Sequence, residues 1–418
     1  MALLHIYTWT LVAARILWLY LWYGKTTMFY QKALQRLRDE NILFTKIFQS
    51  LANSSNVHCI PELKSQLQQY AANTSYTESE INYEALDQIE REYNVQIDRS
   101  VINSGMIALV FKGTDASGAP IIVKMKRRDI TVQLQKGCDS VVAFYNYVSY
   151  WYPKNIYVRI LKPFITNIDD IKDQCDFARE IANMKQAKAD YEPLDFITIP
   201  TVYNRAEAEA NPEYILMEFI DGSHTLPITA TEDERLQYME HFGTFTTYAF
   251  LYNAMQHTDL HSGNILFTPT GLGIIDFGMA TQVSEESHEI LLSIAEIIRD
   301  QTPMHEIDFL ETFKHVFAPP LVKSEIKDLA TVENIVIAIA QPLFDNIDLD
   351  ELNLTDNLMA LSEHLGRDVV FNREMYKIIL GLSMMSGKIN IMGPHFPNSR
   401  LMEVERKALR NAYALIMR

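Results

Sequence analysis

Two stretches of this chain hold residues whose types and spacing can do chemistry: HTDLHSGN, residues 257–264, and GIIDFG, residues 273–278. Asp259 and Asn264 stand five apart, and Asp276 follows twelve residues later. That order suits phosphoryl transfer. One carboxylate orients or deprotonates the attacking hydroxyl, while an amide oxygen and a second carboxylate give Mg²⁺ hard ligands beside the phosphates. Each piece alone is an ordinary turn sequence. Together they are the D-x-x-x-x-N loop and DFG of a kinase-type site, with Asp259 in the catalytic role and Asn264 and Asp276 as metal ligands.

Such a site also needs a cation for the α and β phosphates of ATP. Lys124 follows three apolar residues in IIVKMK, residues 121–126, and is preferred to its neighbours Lys126 and Arg127. Its acidic partner is assigned as Glu180, on a helix expected to begin at Asp176; a solvated glutamate on the helix face is the alternative. The apolar run 214–220 leads into Asp221-Gly222, and backbone groups at Glu218 and Ile220 are placed beside adenine. Ser104 and Gly105, in INSGMIALV, are the candidates to aim backbone N–H groups at the phosphates, although an ordinary hairpin turn reads the same way. No G-x-G-x-x-G is present.

The elements that must position these residues follow from the pattern. Residues 94–126 are rich in β-branched types and predict three antiparallel strands, with a turn at Asp115–Gly118. Residues 131–175 read as largely helical with an aromatic centre, 141–158, expected to line a core. A helix over 176–190 and the strand 214–220 come next. From about Glu232 long amphipathic helices dominate, interrupted by loops and short strands over 257–279. Strands followed by helices give an α+β, two-lobed architecture. The expected divisions are a hydrophobic segment 1–24, a helical extension 25–95, an N-lobe 96–222 carrying a helical insert 131–175, and a helical C-lobe 223–418.

Composition narrows the function. An apolar content of 48% with 22% charged residues is that of a folded chain. A net charge of −16 disfavours nucleic acid as a partner, because such a surface repels phosphate backbones. The three cysteines, Cys59, Cys138 and Cys175, fit neither a disulfide framework nor a zinc spacing and point to a reducing compartment.

The segment from Ala2 to Tyr23 is apolar except for Arg15. As a helix it would run about 33 Å at ~1.5 Å per residue, enough for a hydrocarbon core of ~30 Å. Arg15 would cost roughly 2.5–3.5 kcal/mol at the centre of a span. Trp18, Tyr20, Trp22 and Tyr23 suit an interface, and Lys25, Lys32, Arg36 and Arg38 follow. A membrane anchor with the catalytic part facing cytoplasm or matrix is the expectation. A buried or dimer-forming helix, a cleaved targeting segment and a soluble cytoplasmic chain remain as alternatives.

Taken together, these motifs resemble the UbiB, or aarF-domain, family of atypical kinases. The family's H-A-D-P-H-P-G-N is similar to HTDLHSGN, retaining His257, Asp259, His261, Gly263 and Asn264; its I-D-F-G-M is similar to IIDFGM. Its V-A-V-K matches IIVK, its E-A-x-N matches Glu180-Ile181-Ala182-Asn183, and its K-x-G-Q resembles KIFQ, with Lys46 and Gln49 beside the nucleotide. The stretch GLSMMSGKINIMGPHF is also similar. Two departures stand out: Phe48 occupies the glycine position of K-x-G-Q, and SGMIA with Gly105 replaces an alanine-rich loop. The resemblance implies a Mg²⁺- and ATP-dependent phosphotransferase or ATPase connected with isoprenoid-quinone or other lipid metabolism, with a quinone-like small molecule as partner. No long activation segment or A-P-E anchor follows Asp276-Phe277-Gly278, which argues against a peptide substrate. A small-molecule kinase of the aminoglycoside or choline type and a nucleotide-binding pseudokinase scaffold are the other readings.

Overall fold

The computed structural model describes residues 2–45, 48, 62–63, 66–67, 76–152, 158, 165, 168–209, 212–227, 229–260, 263–300, 302–340, 354–367, 369–379 and 398–416. Along the chain the principal elements are α1 (Ala2–Tyr23), α2 (Thr27–Glu40), α3 (Tyr83–Tyr93), β1 (Gln96–Ser104), β2 (Ala108–Thr114), β3 (Pro120–Lys126), α4 (Ile130–Trp151), α5 (Ile168–Asp173), α6 (Phe177–Asp190), β4 (Ile197–Thr198) and β5 (Tyr214–Glu218). There follow α7 (Glu232–Tyr252), β6 (Gln256–His257), β7 (Ile265–Thr268), β8 (Gly271–Ile274), β9 (Ala280–Thr281), α8 (Glu285–Asp300), α9 (Phe309–Phe313), β10 (Phe317–Ala318), α10 (Leu329–Ala340), α11 (Leu354–Leu365), β11 (Val370–Phe371) and α12 (Asn398–Ile416). These fall into two compact units, Met1–Arg179 with Val202–Phe219, and Glu180–Thr201 with Ile220–Arg418.

The first unit is built on an antiparallel sheet in the order β1-β2-β3-β5. Residue alternation divides its faces. Ile121, Val123 and Met125 join Leu109, Phe111 and Leu216 against Leu86 and Ile89 of α3. Ile122, Lys124 and Lys126 therefore face the other way. The β2–β3 turn forms at Asp115, whose Oδ1 accepts the N–H groups of Ser117 and Ala119 at 2.8 and 2.9 Å, while Gly118 takes φ +85°. α3 starts at Asn82, whose side chain accepts the Ala85 N–H, and ends at Asn94 with φ 52°.

α1 forms over the expected residues, but the membrane anchor is not borne out. Among the described residues no helix is long and apolar enough to cross a membrane. His5, Thr8, Thr10 and Arg15 break the apolar run, and part of the helix packs on protein. Trp9 and Val12 are buried. The Trp9 indole N–H donates to Ser140 Oγ at 3.1 Å, and its ring lies against Phe44 and Phe144. The aromatic centre of α4 divides: Val141 is buried, whereas Tyr150, Trp151 and Tyr152 are 77%, 61% and 65% exposed. Its outer end therefore lines no core.

In the second unit a capping box opens α7, in which Thr231 and Glu234 exchange bonds with each other's backbone N–H. α7 packs along α12, and Gly243 lies against Ala408. β7 and β8 form a hairpin, with β4 adding parallel to β8. Gly271 is required in that hairpin: φ is +155°, and a Cβ there would lie 2.1 Å from Phe196 O. A separate core gathers Leu291, Phe309, Phe313, Val336, Leu361 and Phe371 from α8–α11 and β11.

Candidate functional site

The residues singled out from the sequence are shared between the units. Ser104, Gly105, Lys124 and Glu218 belong to the first; Glu180, Ile220, Asp259, Asn264 and Asp276 belong to the second. The chain passes from one unit to the other between Arg179 and Glu180, between Thr201 and Val202, and between Phe219 and Ile220. Lys46, Gln49 and His261 lie outside the described residues.

In the first unit Lys124 pairs with Val110 and Ile215 in the sheet register, near the end of β3. Its Nζ sits 5.5 Å from the centroid of the Phe177 ring, and that of Lys126 sits 5.1 Å from the same centroid. Both lysines are buried. The Phe177 ring faces both ammonium groups through its π face. At the end of β5, Glu218 pairs with Ile121. The next residue, Phe219, takes the Lys112 ammonium over its ring at 4.1 Å.

Arg127 has a different part from that of a rival to Lys124. Its side chain is 2% exposed. Nε and Nη2 donate to Gly105 O at 3.0 and 2.7 Å, Nη2 donates to Ser104 Oγ at 2.7 Å, and Nη1 donates to Glu80 Oε1 at 2.9 Å. The guanidinium thus fastens the Ser104–Gly105 loop to Glu80. Burial pushes the Glu80 carboxyl up, but the Thr77 N–H bond and Arg127 together hold it below its ordinary value. Gly105 N–H donates to Ala108 O at 2.9 Å, and Ser104 N–H donates to Asn103 Oδ1 at 2.7 Å. Both candidate phosphate donors are engaged inside the loop. Neither the Arg127 anchor nor the Glu80 support is visible in the residue pattern, because they join positions far apart in the chain.

The second unit binds the two motifs into one hydrogen-bonded piece. β6 pairs with β9, so the strand entering the HTD loop lies beside the one leaving DFG. Thr258 N–H donates to Met279 O at 3.2 Å. The His257 ring meets Phe277 edge-on at 5.1 Å, and its Nδ1 accepts the Asp259 N–H at 3.3 Å. The Asn264 amide nitrogen donates to Asp259 O at 2.9 Å, and Asn264 O accepts from Ile275 N–H at 3.0 Å. With the amide nitrogen committed, its Oδ1 is the atom suited to a metal. Asp276 leaves β8 with φ 65°, in the left-handed region that Asp and Asn tolerate better than other side chains. A Cβ on Gly278 would stand 3.3 Å from Asp276 Oδ1 and 3.6 Å from Glu180 Oε2, so both carboxylates border that glycine.

One further residue was quoted in a motif without a role. Asn183, one turn beyond Glu180 on α6, donates to Phe277 O at 3.0 Å and Ala280 O at 3.3 Å. The spacing of three between Glu180 and Asn183 puts both on one helix face, and that is the signal by which it could have been found.

Among the described residues no group of three or more His, Cys, Asp or Glu could hold a metal alone. Asn264 and Asp276 offer two oxygen ligands, a set that fits Mg²⁺, which takes few protein ligands and completes its shell with water and phosphate.

The family model for the ABC1 atypical kinase-like domain matches residues 66–306. A Clostridium pasteurianum protein, described as uncharacterized and from a hydrogenase 1 5′ region, is 24% identical over 253 residues, 58% of this chain. The match takes in 46% of that relative, so this chain spans about half the relative's length. Among solved structures, a Mycobacterium tuberculosis protein in complex with erythromycin aligns at 13% identity over 78% of this chain and 82% of its own, with a TM-score of 0.47. Rio2 kinase from Chaetomium thermophilum, in an ADP/Mg²⁺-phosphoaspartate complex, aligns at 14% identity over 78% and 85%, with a TM-score of 0.33.

Proposed function

The chain belongs to the ABC1 atypical kinase-like family, the group its motifs resemble, and from that premise we propose that it binds Mg²⁺·ATP and transfers or hydrolyses the γ-phosphate. The observation that carries this reading is the hydrogen-bonded piece in which Asn264 joins the Asp259 loop to the residue before Asp276. In the proposal Lys124 engages the α and β phosphates with Glu180 as its acidic partner, and the Glu218–Ile220 backbone holds adenine. Lys46 and Gln49 complete the nucleotide environment by the family resemblance. Asn264 and Asp276 hold Mg²⁺, which when bound neutralises phosphate charge. Asp259 orients the attacking hydroxyl or water and accepts its proton on the carboxylate.

A small molecule is the preferred acceptor, and isoprenoid-quinone or another lipid the preferred class. The support is the short run Met279–Ser284 between DFG and α8, which leaves no platform for a peptide. The engaged N–H groups of Ser104 and Gly105 favour a second reading, a nucleotide-binding switch without turnover.

The test is Mg²⁺-dependent ATP turnover by the full chain and its Asp276→Asn variant, with and without quinone-like phenols. The proposal expects turnover that the variant loses. Nucleotide binding without turnover under every condition would overturn it in favour of the switch.

A further inference from the structure

α6 carries Glu180 and Asn183 in its first half and Asp190 at its end, and side chains at its middle and its end bond to the backbone of the catalytic segments. At the middle, Asn183 holds Phe277 and Ala280, as described above. At the end, Asp190 Oδ2 accepts the N–H of Met255 at 2.8 Å. The adjacent Tyr191 hydroxyl donates to the carbonyl of that same Met255 at 2.7 Å. Asp190 Oδ1 is occupied by the Gln186 amide at 2.6 Å. Met255 is the residue immediately before β6 and hence four positions before Asp259.

These are costly bonds to build. Asp190 and Tyr191 are 9% and 2% exposed, and a buried carboxylate is tolerated only when hydrogen-bonded. A bond from backbone N–H to carboxylate is among the stronger kinds. Burial pushes the Tyr191 phenol well above its ordinary range, which keeps its proton in place as the donor to Met255. The Tyr191 ring is held between Phe245 and Tyr248 of α7, with centroids at 4.6 and 6.1 Å, so the hydroxyl has little freedom to leave. Together the carboxylate and the phenol serve Met255 as a neighbouring strand would, satisfying its donor and its acceptor at once.

We propose that Asn183, Asp190 and Tyr191 are positioning residues that make α6 a fixed brace of the helical unit, holding the Asp259 loop and the Asp276 loop in one register. The compact unit that contains both loops also contains α6 from Glu180 onward. A helix fastened at its middle and at its end by buried bonds cannot swing to regulate the site without breaking them. The proposal rests on the phosphotransfer reading for its catalytic consequence, but the fastening itself is testable without activity.

The experiment uses the full chain with Tyr191→Phe, Asp190→Ala, Asp190→Asn and Asn183→Ala, and Tyr252→Phe as an exposed control. Amide hydrogen exchange is read at Met255 and at residues 277–280, beside kcat and KM for ATP, each per folded molecule. Asp190→Ala is expected to speed Met255 exchange at least about ten-fold by local opening. Asp190→Asn, which keeps an acceptor oxygen, is expected to restore much of the protection. Tyr191→Phe and Asn183→Ala are expected to lower kcat about ten- to a hundred-fold with KM for ATP nearly unchanged.

Unchanged exchange at Met255 in Asp190→Ala, or in Tyr191→Phe should the former not fold, overturns the fastening. Faster exchange with an unchanged kcat per folded molecule overturns the positioning role. Exchange that rises equally in α10 marks general destabilisation and likewise counts against it. A parent chain that turns over no ATP refutes the proposed function instead, and the exchange measurements still decide the brace.

Discussion

Replacing Arg127 by methionine should loosen the sheet unit by about 3 kcal/mol. The side chain is 2% exposed, and methionine fills much of its stem volume, so the loss is chiefly polar. Bonds from a charged donor are worth roughly 1.5–3 kcal/mol each. Arg127 makes such bonds to Ser104 Oγ, to Gly105 O and to Glu80. Against that gross sum of roughly 4.5–9 kcal/mol stand the several kcal/mol that burying the guanidinium costs, which methionine avoids, and the water that reaches Glu80, with 22% of its side chain exposed, leaving about 3 kcal/mol. Arg127→Lys cannot reproduce the fork geometry and should recover about 1 kcal/mol.

Two units need not unfold together. The assay is therefore native-state hydrogen exchange at the Val110 and Val123 amides under increasing urea, which reports the opening free energy of the sheet itself. A double-mutant cycle with Glu80→Gln should give a coupling of about 1–2 kcal/mol. The Glu80 carboxyl is held below its ordinary 4.5 in the folded chain. Its contribution is complete above that ordinary value and is lost as pH falls through the lower, folded value. Acidification should thus erode the parent's advantage over Arg127→Met. An opening free energy in Arg127→Met within about 0.5 kcal/mol of the parent would refute the reasoning.

Asp259→Asn should lower ATP turnover by about 10²–10⁴ while nucleotide binding by calorimetry stays near normal; an equal loss of binding would refute the role given to Asp259. Gly137→Ala should destabilise by about 1–3 kcal/mol in thermal unfolding, because a Cβ there would lie 2.6 Å from Asn41 Oδ1, and Asn41 also donates to Gly137 O. Gly105→Ala should leave stability within about 0.5 kcal/mol, since among the described residues the only neighbour its Cβ would meet is Ala108 O at 3.6 Å. Any change it makes in nucleotide affinity would then come from the loop and not from unfolding.

Much of the fold is legible in local pattern. The strands β1–β3, the Asp115 turn, α6 and β5 all announce themselves through β-branched runs, turn residues or helical spacing, and they form close to where those signals lie. The HTDLHSGN and IIDFGM motifs likewise place Asp259, Asn264 and Asp276 in one unit. Less legible were the contacts made across long sequence separations. Arg127 reads as one more basic residue after Lys124, yet it meets Glu80, forty-seven positions earlier. The β10–β11 pair has strands of two residues each, too short for any alternation to show. α1 misled for a different reason: hydrophobicity counts Trp9 alike whether lipid or protein receives it, and here Ser140, Phe144 and Phe44 do.

The left-handed backbone at Asp276 has a consequence for how substitutions at that position will read in a mutational map. Asparagine and glycine accept φ 65° readily, whereas β-branched residues do not. Cellular abundance should therefore tolerate Asn and Gly and fall for Val, Ile and Thr, by the roughly 1–3 kcal/mol such strain costs. Activity should fall for all five. Comparing abundance with activity at this one position would separate the demand of the backbone from the demand of the carboxylate.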